Sequence, residues 1–347
     1  MAQTYKDIQR ITGLSLSTIS KYFNGGNIRE ANREAIEKAL EGMDYRVNEY
    51  ARGLKSHRSR MVGGIIPELN STFNTAIMAD VEGYLRQHGY GFLICDCRLD
   101  RDMERDALEF LLGRMVDGII TIPYDKSGGH LKLARDHDIP VVLIDRLADD
   151  FQTDAVVVDN QEAARKAAEE FVKAGHRDLA IVCGPEGLYT MKCRMEGFRR
   201  TLLDYGLPAR PEWMRSVDMT VDGGYQAAKE ILMLPARPTA LFCANYEVTL
   251  GTIIAMNELG VRMPEDISLI GLDNLMLSGV IKPKLTMVVQ PMRQIAESAA
   301  ALMLRRLESD GARQEPPQII RLPAELLPGQ SVAAVSNITN GPFTNGG

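Results

Sequence analysis

Apolar side chains in the first forty residues recur at intervals of three and four, whereas beyond residue 61 they gather into short unbroken runs. The first texture marks a buried stripe on a helix; the second, bounded by turn residues, marks a buried strand. Ile8 and Ile11 lie one turn apart and open a first helix, which Gly13 interrupts. Ser15 caps a second helix that buries Ile19 and Phe23 at i, i+4 spacing, and Asn24-Gly25-Gly26 stops it. A third helix is predicted from about Ala31 to Gly42, with Ala35, Ile36, Ala39 and Leu40 inward. Three short helices with a glycine turn between the first two make a helix-turn-helix.

From Met61 on, strands are predicted over Val62–Ile66, Phe92–Cys95, Gly118–Ile122 and Val141–Ile144, with helices beginning near Thr75, Asp102 and Lys126. A second series follows, with strands Leu179–Cys183, Met214–Val217, Ala240–Ala244 and Ser268–Gly271 and helices beginning near Glu162, Lys192, Gly223 and Val248. Strands alternating with helices imply parallel sheets joined by right-handed crossovers. Two such series imply two α/β lobes behind an all-α head, and 347 residues exceed one ordinary core.

The second helix turns Leu16, Ser17, Ser20, Lys21 and Asn24 outward. These side chains suit a major groove: Lys21 donates to guanine acceptors, Ser17 bonds either way, and Leu16 meets a thymine methyl. Thr18, Ser20 and Asn24 suit phosphate oxygens. From residue types alone, a small helical hairpin with a polar face fits equally well. Charge leans toward the first reading. Residues 1–60 hold 11 Lys and Arg against 7 Asp and Glu, while the whole chain carries a net charge of -6. A basic head on an acidic body points to the head as the part that meets a polyanion.

The remaining composition excludes more than it assigns. The opening residues lack a basic and then apolar signal region, and no apolar run reaches membrane-spanning length, so a cytoplasmic protein is expected. The five cysteines form no CxxC pair and read as reduced thiols. No GxGxxG follows a first strand, no GxxxxGK[ST] and no GxSxG occur, and the five histidines lack metal-ligand spacing. No cofactor, no metal and no enzymatic activity are expected. Ligands of parallel α/β folds bind outside the carboxyl ends of strands. That rule selects Asp145-Arg146, Asn245 and Asp273, together with Arg194 near a helix start and Phe73 in the loop after the first strand. Carboxylates, Arg and Asn beside an aromatic face suit a polyhydroxylated ligand. Ordinary loop-end ion pairs are the competing account of each residue.

Spacing separates these alternatives. Thr4-Tyr5-Lys6-Asp7-Ile8, Gly13 through Lys21, Asn24-Gly25 and Tyr45 through Leu54 together resemble the DNA-binding head of the lactose/galactose repressor (LacI/GalR) family. The resemblance implies that Leu16, Ser17 and Lys21 read bases with Tyr5 near the groove. Thr4, Thr18, Ser20, Asn24 and Arg52 would then hold the backbone. It also makes Asn48–Lys55 a hinge helix that orders on DNA, with Leu54 wedged into the minor groove. Gly53 weakens such a helix by roughly 0.5–1 kcal/mol.

The body resembles the same family and the related periplasmic sugar-binding fold. The matching stretches are 62-VGGIIP-67, 116-VDGII-120, 139-IPVVLIDR-146, 175-GHR-177, 194-RMEGF-198, 243-CAN-245 and 264-PEDISLIG-271. By position the resemblance makes Asp145, Arg146, Arg194, Asn245, Asp273 and Gln290 polar effector contacts, with Phe73 and Met219 on the apolar wall. It implies a helix-turn-helix domain over 1–46 and a hinge helix and linker over 47–60. An N-terminal lobe is expected from 61–160 and 291–320, a C-terminal lobe from 161–290 and 321–330, and a flexible tail over 331–347. The expected protein is a homodimeric repressor that binds a pseudo-palindromic double-stranded operator under control of a small sugar-like effector. Its rival is a periplasmic-type carbohydrate-binding receptor without DNA function, which shares the body but predicts a signal peptide and no helix-turn-helix.

Overall fold

The computed structural model describes residues 4–23, 26–41, 43, 58–273, 275–308 and 315–338. They belong to two compact units, Met1–Ser59 and Arg60–Gly347.

The first unit holds three helices, α1 (Tyr5–Thr12), α2 (Leu16–Phe23) and α3 (Glu30–Glu41). Each contributes one fully buried isoleucine, Ile8, Ile19 and Ile36, to a shared core. Burial of such a side chain is worth about 1.5–3 kcal/mol, so this small core depends on all three. Ile11 departs from expectation: it is 57% exposed. The Tyr5 ring takes the next place on the α1 stripe and stacks on Phe23 with ring centres 5.1 Å apart, which leaves Ile11 on the outer edge. Gly13 ends α1 in the left-handed region (φ 71°), where its N–H donates to Gln9 O at 2.8 Å. A side chain there would be strained.

The second unit holds two six-stranded sheets. The first is built from β1 (Met61–Ile66), β2 (Gly91–Asp96), β3 (Gly118–Thr121), β4 (Val141–Ile144), β5 (Asp154–Val158) and β11 (Ile319–Leu322), in the order β11-β5-β4-β3-β1-β2 and all parallel. The second is built from β6 (Leu179–Cys183), β7 (Met214–Ser216), β8 (Ala240–Cys243), β9 (Ser268–Leu272), β10 (Thr286–Val289) and β12 (Glu325–Leu327), in the order β12-β10-β9-β8-β6-β7. Its strands are parallel except β12, which runs antiparallel to β10. The two orders are the same, strand for strand.

Helices cover both faces of each sheet, which is why the strands read as continuous apolar runs. In β4, Val142 and Ile144 enter one core while Val141 and Leu143 enter another. Between the strands run α4 (Thr72–Gln87), α5 (Arg101–Gly113), α6 (Lys132–Asp136), α7 (Asn160–Lys173), α8 (Tyr189–Asp204), α9 (Val221–Leu232), α10 (Tyr246–Leu259), α11 (Leu275–Val280) and α12 (Met292–Glu308). α9 and α10 approach closely at Gly251, where an added Cβ would lie 2.0 Å from Val221 O.

The chain passes from the first sheet to the second after β5 and returns after β10 through α12, which packs on α4 and on β3, β4 and β5. It crosses a third time between Leu322 and Glu325. Several elements differ from expectation. α4 starts at Thr72 rather than Thr75, because Ser71 Oγ accepts the Asn74 N–H; Phe73 therefore lies in the first turn of a helix and not in a loop. The helix expected near Lys126 begins at Lys132, since Gly128 turns left-handed (φ 64°) and Ser127 bonds to Asp125. β5, β10, β11 and β12 were not anticipated.

Candidate functional site

On the outer side of α2, Leu16 is 40% exposed and Ser17 and Lys21 are exposed, while Ile19 points inward at 0%. Ser15 Oγ accepts the Thr18 N–H at 3.2 Å and lies 2.8 Å from Ser17 Oγ and 2.9 Å from Thr18 Oγ1. The hydroxyls at the start of α2 thus form one linked cap. Thr4 sits at the start of α1, where its N–H and its hydroxyl donate to Asp7 Oδ2 at 2.9 and 3.0 Å. These bonds, the backbone one first, hold the Asp7 carboxyl below its usual range. Tyr5 is half-buried against Phe23, and Thr18 and Ser20 are half-buried. Asn24, Arg52 and Leu54 lie outside the described residues.

In the second unit the carboxyl ends of strands from both sheets carry the other expected residues. Asp145 follows β4 and Asp273 follows β9, each as the first residue past its strand. Both adopt the left-handed region, φ 69° and 61°. Both donate their N–H to the neighbouring strand, Asp145 to Val156 O at 2.9 Å and Asp273 to Val288 O at 2.8 Å. The same turn therefore ends the equivalent strand of each sheet. Burial first, and then the Asp145 charge, pushes the Asp273 carboxyl up to about 6 against the pull of Arg194 and Gln290. The end of an equivalent strand in each sheet thus lies within electrostatic reach of the other.

Gln290, just past β10, donates from Nε2 to Asp273 Oδ2 at 2.6 Å and from its backbone N–H to Oδ1 at 3.2 Å. Its Oε1 is buried with no hydrogen-bond partner among the described residues. Arg194, 3% exposed in α8, donates from Nε to Asn160 Oδ1 at 2.7 Å and from Nη1 to Ala244 O at 2.6 Å. Arg146 reaches Asp145 Oδ2 from Nε at 3.2 Å and Pro123 O from Nη1 at 3.3 Å. Asn245 is buried, and its amide is already engaged: Oδ1 accepts the Val248 N–H at 2.8 Å and Nδ2 donates to Glu247 Oε2 at 2.8 Å. Its first duty is capping α10. Phe73 and Met219 are half-buried and pack on the core cluster that both sheets share.

Four residues of this region were missed from sequence. Glu68 follows β1 by two residues, and burial and then Asp96 raise its carboxyl. Glu247 occupies the first turn of α10, and burial, then Glu68 and Asp273, raise its carboxyl. Asn160 starts α7 just after the first lobe crossing. Glu104 is fully buried in α5 and accepts the N–H groups of Tyr124 and Asp125, both at 2.8 Å, beneath the loop whose Pro123 carbonyl holds Arg146. The rule that looks one residue past each strand found Asp145 and Asp273. Applied also to the first helical turn that follows, it reaches Glu247 and Asn160. Glu104 gives no sequence signal, because it reads as an ordinary polar position of an amphipathic helix.

Residues 168–332 match the periplasmic binding protein-like domain family. Catabolite control protein A of Priestia megaterium is 31% identical over 312 residues, spanning 89% of this chain and 94% of that protein. The chain belongs to the LacI/GalR family. A second relative of this LacI/GalR protein is the HTH-type transcriptional repressor PurR of Aliivibrio salmonicida, 30% identical over 88% of the chain and 92% of the relative. Among solved structures, the lac repressor dimer bound to operator and the anti-inducer ONPF superposes with a TM-score of 0.85 at 24% identity, covering 96% of this chain and all of that one. That last likeness is one of fold.

Proposed function

We propose that this LacI/GalR-family chain is a homodimeric, cytoplasmic transcriptional repressor that binds a pseudo-palindromic operator and is switched by a small sugar-like effector held between its lobes. Residues 1–46 form the helix-turn-helix domain, 47–60 the hinge helix and linker, 61–160 and 291–320 the N-terminal lobe, and 161–290 and 321–330 the C-terminal lobe; the tail expected over 331–347 is docked where it begins, since Ser331 is fully buried and its Oγ donates to Leu269 O at 2.6 Å. α2 is the recognition helix. Leu16, Ser17 and Lys21 read base edges, Tyr5 stands near the groove, and Leu54 enters the minor groove. Thr4, Thr18, Ser20, Asn24 and Arg52 fix the backbone. The observation that carries this reading is the exposed face of α2, where Leu16, Ser17 and Lys21 stand free of the core that Ile19 enters.

Effector control follows from where the cleft residues are anchored. Arg194 is bonded to Asn160, which directly follows the first crossing, and the Asp159 N–H donates to Leu322 O at 3.0 Å beside the third. Lys166 Nζ donates to Ala324 O at 2.7 Å at that same third crossing. A ligand that pulls Arg146 of the first lobe and Arg194 of the second together changes the angle at the crossings, and it shifts DNA affinity only by its preference for one lobe arrangement. Binding-site selection followed by fluorescence anisotropy, with and without sugars, tests the whole scheme. The expected result is a two-fold symmetric consensus whose base choice relaxes in Lys21→Ala. Selection that returns only asymmetric or unrelated sequences refutes it.

A further inference from the structure

The two lobes are joined by more than their backbone crossings. Arg321 lies in β11, an edge strand of the first sheet, and pairs with Val157 of β5. Tyr189 is the first residue of α8, which packs on β6 of the second sheet and on α7. Arg321 Nη1 donates to Tyr189 Oη at 3.2 Å, so a side-chain hydrogen bond runs from one lobe to the other. Arg321 is exposed and Tyr189 half-buried, and the pair therefore adds little to either core.

Position gives this bond leverage. Leu322 follows Arg321, and its carbonyl accepts the Asp159 N–H at 3.0 Å. The first and third crossings thus run side by side as one narrow strip of backbone. A hinge of this kind turns through φ and ψ changes at a few residues, and an attachment to one side of it resists the turn. The second lobe transmits that resistance. A Cβ at Gly197 of α8 would lie 2.2 Å from Gln161 O of α7, and Gln161 Nε2 donates to Glu196 Oε2 at 3.1 Å. The two helices therefore move together. α8 carries Tyr189 at its start and Arg194, bonded to Asn160, further along.

We propose that Arg321 and Tyr189 form a clasp that sets the resting angle between the lobes, and that opening it changes operator affinity without any ligand. The second half rests on the repressor reading; the first half does not. A ligand that turns α8 through Arg194 works against the same bond.

Amide exchange followed by mass spectrometry on the full chain, with neither ligand nor DNA, tests the clasp at the Asp159 N–H. Tyr189→Phe removes the acceptor and Arg321→Met the donor. Each is expected to speed that exchange by about 2- to 10-fold, the worth of one net hydrogen bond. The double variant is expected to match the single ones, because the second change finds no bond left to break. Arg321→Lys keeps a donor and is expected to recover much of the protection, which a packing defect would not. Unchanged exchange in both single variants, or effects that add in the double variant, overturns the clasp. Fluorescence anisotropy on a selected operator tests the second half. Tyr189→Phe and Arg321→Met are expected to change ligand-free affinity in the same direction, and Arg321→Lys to restore it. Faster exchange with unaltered affinity overturns the regulatory role. A native chain that selects no operator overturns the repressor reading instead, and exchange still decides the clasp.

Discussion

Arg194 Nε lies 2.7 Å from Asn160 Oδ1, which joins the cleft to the first residue past a lobe crossing. Asn160 is itself 2% exposed, and its Nδ2 donates to Val158 O at 3.2 Å. The pair places a buried guanidinium under the control of the hinge. Asn160→Ala removes an acceptor from that buried cation, so the chain is expected to lose about 1–3 kcal/mol of stability in urea. Coupling between effector and DNA is expected to fall by about 0.5–2 kcal/mol although Asn160 is not assigned a ligand contact. Anisotropy titrations with and without effector measure it, and undiminished coupling would show the bond to be structural only.

Asp273 gives the fold a dependence on pH with a definite sign. Its carboxyl titrates at 3.8 in the open chain and at about 6 when folded, because burial disfavours the charge. The folded state therefore holds this proton more tightly than the unfolded state. Stability falls as pH rises from about 4 through about 6, and the full penalty, on the order of 3 kcal/mol, is present above that window. Asp273→Asn removes this contribution. The stability of the variant relative to the native chain is expected to improve across the window by that amount, while effector binding weakens. Denaturation curves at several pH values check it; parallel profiles for the two proteins would contradict the burial effect.

Gly251 is a packing requirement. A methyl group at this position meets Val221 O at 2.0 Å and the Tyr225 backbone nitrogen at 2.6 Å. Both contacts are backbone, so no side chain can swing aside. Gly251→Ala is expected to destabilise the second unit by about 1–3 kcal/mol despite the better helix propensity of alanine. A melting temperature equal to that of the native chain would show that α9 and α10 separate easily.

The head offers the opposite experiment, a loss confined to one unit. Ile36→Ala opens a void among Ile8, Ile19 and Ile36. The expected cost is about 2–5 kcal/mol, which a core this small cannot absorb. DNA binding is expected to vanish while calorimetric effector binding stays intact. Loss of both together would mean that the units do not fold independently.

The strand and helix alternation was legible because β3, β4, β6 and β8 are buried on both faces and stand out as apolar runs. β5 reads Asp-Ala-Val-Val-Val and carries as strong a signal, yet it directly precedes α7 and is easily taken for part of the crossing. β11 and β12 are short, largely exposed edge strands, and their sequence lacks the apolar run. Within the cleft, position after a strand revealed Asp145 and Asp273. Glu68 escaped because Pro67 separates it from the end of β1, and Glu247 because helical first turns often carry acids for the dipole alone. Asn245 was legible as a polar strand-end residue, but only coordinates show that capping α10 occupies its amide.

The matching turns at Asp145 and Asp273 set up a repeat that their side chains then break. Each sheet closes its equivalent strand with an aspartate in the same uncommon backbone region and the same bond to the adjacent strand. The two turns differ in what holds their carboxylates: Asp145 keeps Arg146, while Asp273 rests against Gln290. A pseudo-symmetric pair of turns therefore ends in two unlike grips, and the difference between them is what an asymmetric molecule can register.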